Sequence, residues 1–165
     1  MNRISKELIK IAREIKALDE DNERLEQAAA KDKKYILHHQ EGNLWRIQYC
    51  KDVGDAKKGD FGGLIESEKN LSHKGRCCIY DDAKVYENAR VIKDGSVGDE
   101  AQVYGNAIIK GGYVSGTAEV CDNAKVIGGS ISGDVKVLDN VYIKYAQDIN
   151  GSPIICGHAF INTGG

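Results

Sequence analysis

Along the first segment of the chain, apolar residues recur at Ile4, Leu8, Ile11, Ile15, Leu18 and Leu25, with Asn22 and Ala29 completing the series. The steps alternate four and three. That is a heptad seam with Leu8, Ile15, Asn22 and Ala29 at a, and Ile4, Ile11, Leu18 and Leu25 at d. Neither Gly nor Pro occurs between Asn2 and Ala30. The pattern predicts one helix over 4–30, about 40 Å long at 1.5 Å per residue. A stripe this narrow suits a coiled-coil seam better than a helix lying on a domain, and an Asn at a is a register device. The flanking g and e positions hold Glu7, Glu14, Asp21, Asp19 and Glu26. Parallel self-pairing would set Glu14 against Asp19 and Asp21 against Glu26, costing about a few tenths of a kcal/mol per contact. Self-association leads, with docking on a partner of basic rim and packing on the chain's own domain as alternatives.

From residue 77 the period changes. Ile79, Val85, Val91, Val97, Val103, Ile109, Val114, Val120, Val126, Ile131, Val137, Ile143, Ile149, Ile155 and Ile161 follow one another at steps of six, except for steps of five at Ile109–Val114 and Val126–Ile131. The residue two before each is often small, as at Ala83, Ala89, Gly95, Ala101, Ala107, Gly112, Ala118, Ala124, Gly129 and Ala159. This is an internal repeat. Six residues suffice for one short strand and one corner, so three units make a triangular coil. The fifteen units then predict five coils and a prism about 24 Å tall at the strand spacing. Its interior is expected to hold one aliphatic and one small residue per corner.

Asn88, Asn106, Asn123 and Asn140 recur at 18, 17 and 17 residues on one corner, with Gly157 taken as the fifth place. Asn and Gly tolerate left-handed backbone, so this column is expected to be a structural corner ladder. Both five-residue steps contain a Gly-Gly pair, Gly111-Gly112 and Gly128-Gly129, where glycine can shorten the turn.

Residues 34–76 read as a β-hairpin and loop cap between the helical segment 1–33 and the β-helix 77–165. Lys34–Leu37 and Leu44–Tyr49 are predicted strands joined around Glu41–Asn43, with a loop over Gly54–Gly63. Trp45 is expected to anchor the core. Gly59-Asp-Phe-Gly-Gly63 lacks the Gly-Lys-Ser/Thr ending of a phosphate loop.

The unit small-x-aliphatic-x-x-x resembles the hexapeptide repeat of left-handed parallel β-helices. A closer resemblance covers residues 34–165. Lys34–Leu37, Leu44–Ile47, Gly59–Ser72 and Cys78–Val85 look like a family of bacterial and phage-encoded hexapeptide-repeat proteins, some labelled acyltransferases and some polymer-forming. The resemblance implies the left-handed fold. Hexapeptide acyltransferases typically use a histidine as general base between adjacent prisms. Here His38 and His39 precede the repeats, His73 stands where they begin and His158 lies in the last coil, so none is expected to be catalytic.

Composition sharpens the fold and trims the functions. The chain has 165 residues with 19 Gly, one Pro, one Trp, two Phe and a formal net charge of −2. The near-neutral balance gives no general drive towards nucleic acid, and no apolar run is long enough to span a membrane. Proline would delete ladder donors from stacked strands; Pro153 is placed in the last coil, where one edge lacks a neighbour. Cys50, Cys77, Cys78, Cys121 and Cys156 form no zinc spacing. With no signal-peptide pattern, they are expected to be reduced thiols in the cytoplasm, host cytoplasm if phage-encoded. No catalytic, cofactor-binding or metal set emerges. Asp81, Asp82, Glu66 and Glu68 are expected to face solvent.

Outward positions carry the functional signal. One face shows Tyr86, Tyr104, Cys121, Leu138 and Cys156 in a column. The next shows Ile92 and Ile127 beside Ile108, Tyr142 and Phe160, interleaved with Arg90, Lys110, Lys125 and Lys144. The third, with Gly98, Ser115, Ser132 and Asn150, is bland. Contiguous outward apolar residues usually mark a contact. The expectation is a non-enzymatic interaction protein, a dimer or trimer, using the seam Leu8, Ile11, Ile15, Leu18, Asn22 and Leu25 and the two apolar faces. The phage-type resemblance implies a specific version, an inhibitor occluding a host defence complex. Alternatives are an acyl-CoA-dependent acyltransferase and a structural virion or filament component.

Overall fold

A computed structural model describes residues 2–163; within them, the side chains of residues 26–31, including Glu26 and the seam position Ala29, lie outside the description. The chain divides into two compact units, Met1–Lys33 and Lys34–Gly165.

The first unit is a single helix, α1, over Arg3–Asp32. Asn2 caps it: its Oδ1 accepts from the Ser5 amide at 2.8 Å, and its carbonyl accepts from the Lys6 amide at 3.3 Å.

The second unit is mainly β, a solenoid of stacked parallel coils capped by a hairpin. Strands β1 (Tyr35–Glu41) and β2 (Leu44–Tyr49) pair antiparallel across a turn at Gly42, and β2 pairs antiparallel with β3 (Phe61–Ile65). The predicted loop over Gly54–Gly63 therefore gives way to strand at Phe61. β3 then runs parallel to Lys84–Val85, setting Ile65 opposite Val85, and Leu71 bridges Val91. The aliphatic columns thus extend upstream of Ile79 to Ile65 and Leu71.

Three parallel ladders follow. Val85, Val103, Val120, Val137 and Ile155 are successive partners in one. Val91, Ile109, Val126, Ile143 and Ile161 form the second. Ile79, Val97, Val114, Ile131 and Ile149 form the third. The aliphatics from Ile79 to Ile143 are fully buried. The small positions are filled by Ala83, Ala89, Ala101, Ala107, Ala118 and Ala124, but also by the equally buried Val135 and Val141, so the interior admits more than Ala and Gly.

The corners obey a stricter rule than the sequence reading supplied. The residue two after each aliphatic, from Asp81 to Gly157, has a positive φ. On one corner these are Glu87, Gly105, Asp122, Asp139 and Gly157. The left-handed residue therefore precedes each corner asparagine; the asparagines themselves are not left-handed. Carboxylates at these positions accept from the corner amide one coil on: Glu87 from Gly105 at 2.7 Å, Asp99 from Gly116 at 2.8 Å, Asp122 from Asp139 at 3.0 Å and Asp139 from Gly157 at 2.8 Å. Glu66 and Asp81, though exposed, do the same for Glu87 and Asp99. Each such bond satisfies a backbone donor that the turn would otherwise leave to water.

The asparagines form a ladder of their own. Asn88 donates to Asn106 at 3.2 Å, Asn106 to Asn123 at 3.1 Å and Asn123 to Asn140 at 3.1 Å. The next rung is His158, whose Nε2 lies 3.4 Å from the Asn140 amide nitrogen; Gly157 is the left-handed residue before it. Pro153 precedes Ile154–Ile155, which ends its ladder as expected, and a second feature also admits it. It occupies a small position, where amides such as those of Ala83 and Ala101 close the corner turn rather than the ladder, and its carbonyl accepts from Lys136 at 3.0 Å. A missing N–H there removes no ladder bond.

Trp45 is only half-buried, so it is not the anchor of the cap. Tyr35, Ile47 and Tyr49 are. The Tyr49 hydroxyl donates to the Ile79 carbonyl and accepts from the Ile79 amide, both at 2.9 Å, and the Tyr35 hydroxyl donates to the Leu71 carbonyl at 2.7 Å. The pair Gly62-Gly63 lets β3 close on the first coil, because a Cβ at Gly63 would stand 2.2 Å from Ile79 Cγ2 and one at Gly62 2.6 Å from the Ile79 carbonyl. Its glycines thus serve packing.

Candidate functional site

Three surfaces stand out: the helix seam, the outward columns and one cleft. On α1 the seam aliphatics Ile4, Leu8, Ile11, Ile15, Leu18 and Leu25 are all exposed, with Leu8 62% and Leu18 63% open. Asn22 is exposed among them. Of the flanking acids, Glu7, Glu14 and Asp19 make no ion pair among the described residues, while Asp21 meets Arg24 at 3.8 Å.

The first apolar column is partly self-covered. Tyr86 and Tyr104 stack with centroids 5.1 Å apart and planes within 6°. Their hydroxyls donate to Gln102 and Glu119, each at 3.2 Å. Burial raises both phenol pKa values, and the Cys121 thiol adds to the shift at Tyr104. Cys121 does not fit the expectation of an exposed contact residue: it is only 4% exposed, and burial pushes its thiol pKa up. Leu138 is half-buried and Cys156 is exposed.

The second face is a zigzag. Going from coil to coil, apolar and basic residues change sides: Arg90 beside Ile92, Ile108 beside Lys110, Lys125 beside Ile127, Tyr142 beside Lys144. Tyr142 stacks on Phe160 at 5.4 Å, and Phe160 is 62% exposed. No acidic residue directly flanks Val91, Ile109, Val126, Ile143 or Ile161, the aliphatics of this face.

The third face is not bland. A cleft of about 610 Å³ lies on it, lined by Asp55, Tyr80, Asp81, Asp94, Ser96, Gly111, Gly112, Tyr113 and Gly129. Repeat spacing alone could not show it, because Asp55 comes from the loop before the repeats. Gly98 also matters, since a Cβ there would stand 2.7 Å from the Tyr113 hydroxyl. Burial and the Asp99 carboxylate raise the Tyr113 pKa.

No histidine lines that cleft. His38 and His39 are exposed on β1, with ring nitrogens 2.8 Å apart and both edge-on to Phe61. His73 stacks on Tyr35 at 4.3 Å and its Nδ1 accepts from the Lys34 amide at 3.3 Å. His158 ends the asparagine ladder. Among the described residues no group of His, Cys, Asp or Glu is arranged to hold a metal ion, and all five cysteines are free thiols. No helix among the described residues is long and apolar enough to cross a membrane.

Ser115, expected on the outward third face, is only 6% exposed, and two further buried polar residues had no signal in the sequence. Lys34 is 1% exposed, and its Nζ donates to the Cys77 carbonyl at 2.7 Å and lies 3.1 Å from Cys77 Sγ. Asn70 is fully buried at the start of the solenoid. No spacing signal marks either one, since each works through tertiary contacts. No protein-family model matches the chain, and no curated protein matches its sequence.

Proposed function

We propose that this chain is a non-enzymatic, self-associating interaction scaffold. Its second unit is read as a left-handed hexapeptide-repeat prism of about five coils, the handedness being what the resemblance to hexapeptide-repeat β-helices implies and the coil number following from three repeat units per coil. The observation that carries the reading is the exposed seam of α1, where Leu8 and Leu18 stand more than half open. A helix with an uncovered apolar stripe loses the burial that ordinarily stabilises it. The outward zigzag on the second prism face supports the same reading, because a solenoid is held by its interior and coil–coil interfaces. A host protein occluded by these faces is the form that a phage-encoded version would take.

Sedimentation of the full chain over a wide concentration range tests the reading. Self-association is expected, and it should weaken in the variant Leu8→Gln/Leu18→Gln, whose positions are exposed on the helix. A monomer at every concentration overturns the proposal.

A further inference from the structure

Resting on the reading of the chain as self-associating, we propose that α1 of one copy docks along the Ile/Lys face of the solenoid of a second copy. Three observations lead there.

The first is charge. The seam of α1 is bordered by Glu7, Glu14, Asp19 and Asp21, with no basic residue at its described flanking positions. The zigzag face carries Arg90, Lys110 and Lys125, and none of the three is in an ion pair among the described residues. The corner carboxylates Glu87, Asp122 and Asp139 before these strands accept from backbone amides, and Asp94 on the following corner pairs with Arg76 at 3.5 Å. An acid-rimmed apolar stripe thus has a base-rimmed apolar counterpart on the same chain.

The second is spacing. Seam residues on a helix climb about 5.3 Å per step, from 3.5 residues at 1.5 Å each. Coils climb about 4.8 Å. A helix laid along the prism axis therefore meets one coil per seam residue, drifting by only about 2 Å over four coils on those spacings.

The third is alternation. A heptad seam places a and d on alternate sides, repeating every ~10.5 Å. On the prism, apolar residues also alternate sides: Ile92, Ile108, Ile127 and Tyr142 belong to successive strands. Their repeat is two coils, about 9.6 Å. Parallel helix–helix self-pairing has the opposite electrostatics, because it sets Glu14 against Asp19.

Analytical ultracentrifugation of the full chain decides between these arrangements. Glu14→Lys/Asp21→Lys should weaken self-association by about tenfold, as should Lys110→Glu/Lys125→Glu, and the chain carrying all four changes should recover most of the loss. Raising the ionic strength of the unaltered chain should also weaken association, a readout that needs no variant. If the helix variant associates as well as or better than the unaltered chain, if the combined variant shows no recovery, or if salt leaves association unchanged or strengthens it, the docking is wrong while self-association stands. A monomeric chain overturns both.

Discussion

The side-chain amide of Asn70 donates to the Ala89 carbonyl at 2.8 Å. The same amide reaches the Glu87 carbonyl at 3.1 Å, while Asn70 Oδ1 accepts from Glu66 at 3.1 Å and Ser67 at 2.9 Å. One fully buried side chain thus joins the entry segment to the next coil. Asn70→Asp keeps the shape but turns a carboxylate oxygen towards two carbonyls; Asn70→Ala leaves the backbone groups without their side-chain partner. Each should lower unfolding free energy by about 2–4 kcal/mol, measured by chemical denaturation. A loss below about 1 kcal/mol, the size of a single ordinary hydrogen bond, would show that Asn70 does not organise this entry.

Asn70 also marks where reading the sequence stops. The columns from Ile79 to Ile161 were legible because each unit sees the same interior, so one physical demand repeats and the period reports it. Asn88, Asn106, Asn123 and Asn140 were legible for the same reason. Their left-handed neighbours were missed because asparagine's known tolerance pointed to the wrong residue of the pair, whereas Glu87 and Asp122 adopt that backbone while their carboxylates bond to the next coil. Lys34, Asn70 and the Tyr49–Ile79 bonds occur once each. Single tertiary contacts leave no period, and neither does a cleft whose wall, Asp55, lies outside the repeat.

The two Gly-Gly corners separate conformational strain from steric contact. Gly111 has φ +73° with open space where a Cβ would stand, whereas at Gly129, with φ +96°, a Cβ would stand 2.1 Å from the Ala146 carbonyl oxygen. Gly111→Ala should therefore cost only the left-handed backbone term, about 1 kcal/mol. Gly129→Ala should cost about 3 kcal/mol or more, because the next coil must also move. Denaturation midpoints of the two variants check this; equal losses would mean that the coils at this corner yield to the methyl group.

Rising pH should destabilise the second unit through buried thiols and phenols that lie in both the cap and the repeats. Burial raises the thiol pKa of Cys78 and Cys121 above the ordinary 9.0. It also raises the phenol pKa of Tyr35, Tyr49, Tyr80 and Tyr104 above the ordinary 10.0. In each case the folded state holds the proton more tightly than the unfolded chain. The stability this contributes is complete below the unfolded pKa and falls as pH climbs towards the folded one. Stability should accordingly be level from about pH 7 to 8.5, decline from about pH 9 as unfolded thiols ionise, and decline more steeply above about pH 10 with the phenols. Tyr49→Phe removes one of those phenols together with its bonds to Ile79. It should start less stable near neutrality and show a shallower alkaline decline, measured as the urea midpoint against pH. A parallel decline in both proteins would exclude the Tyr49 phenol as a source of the alkaline loss.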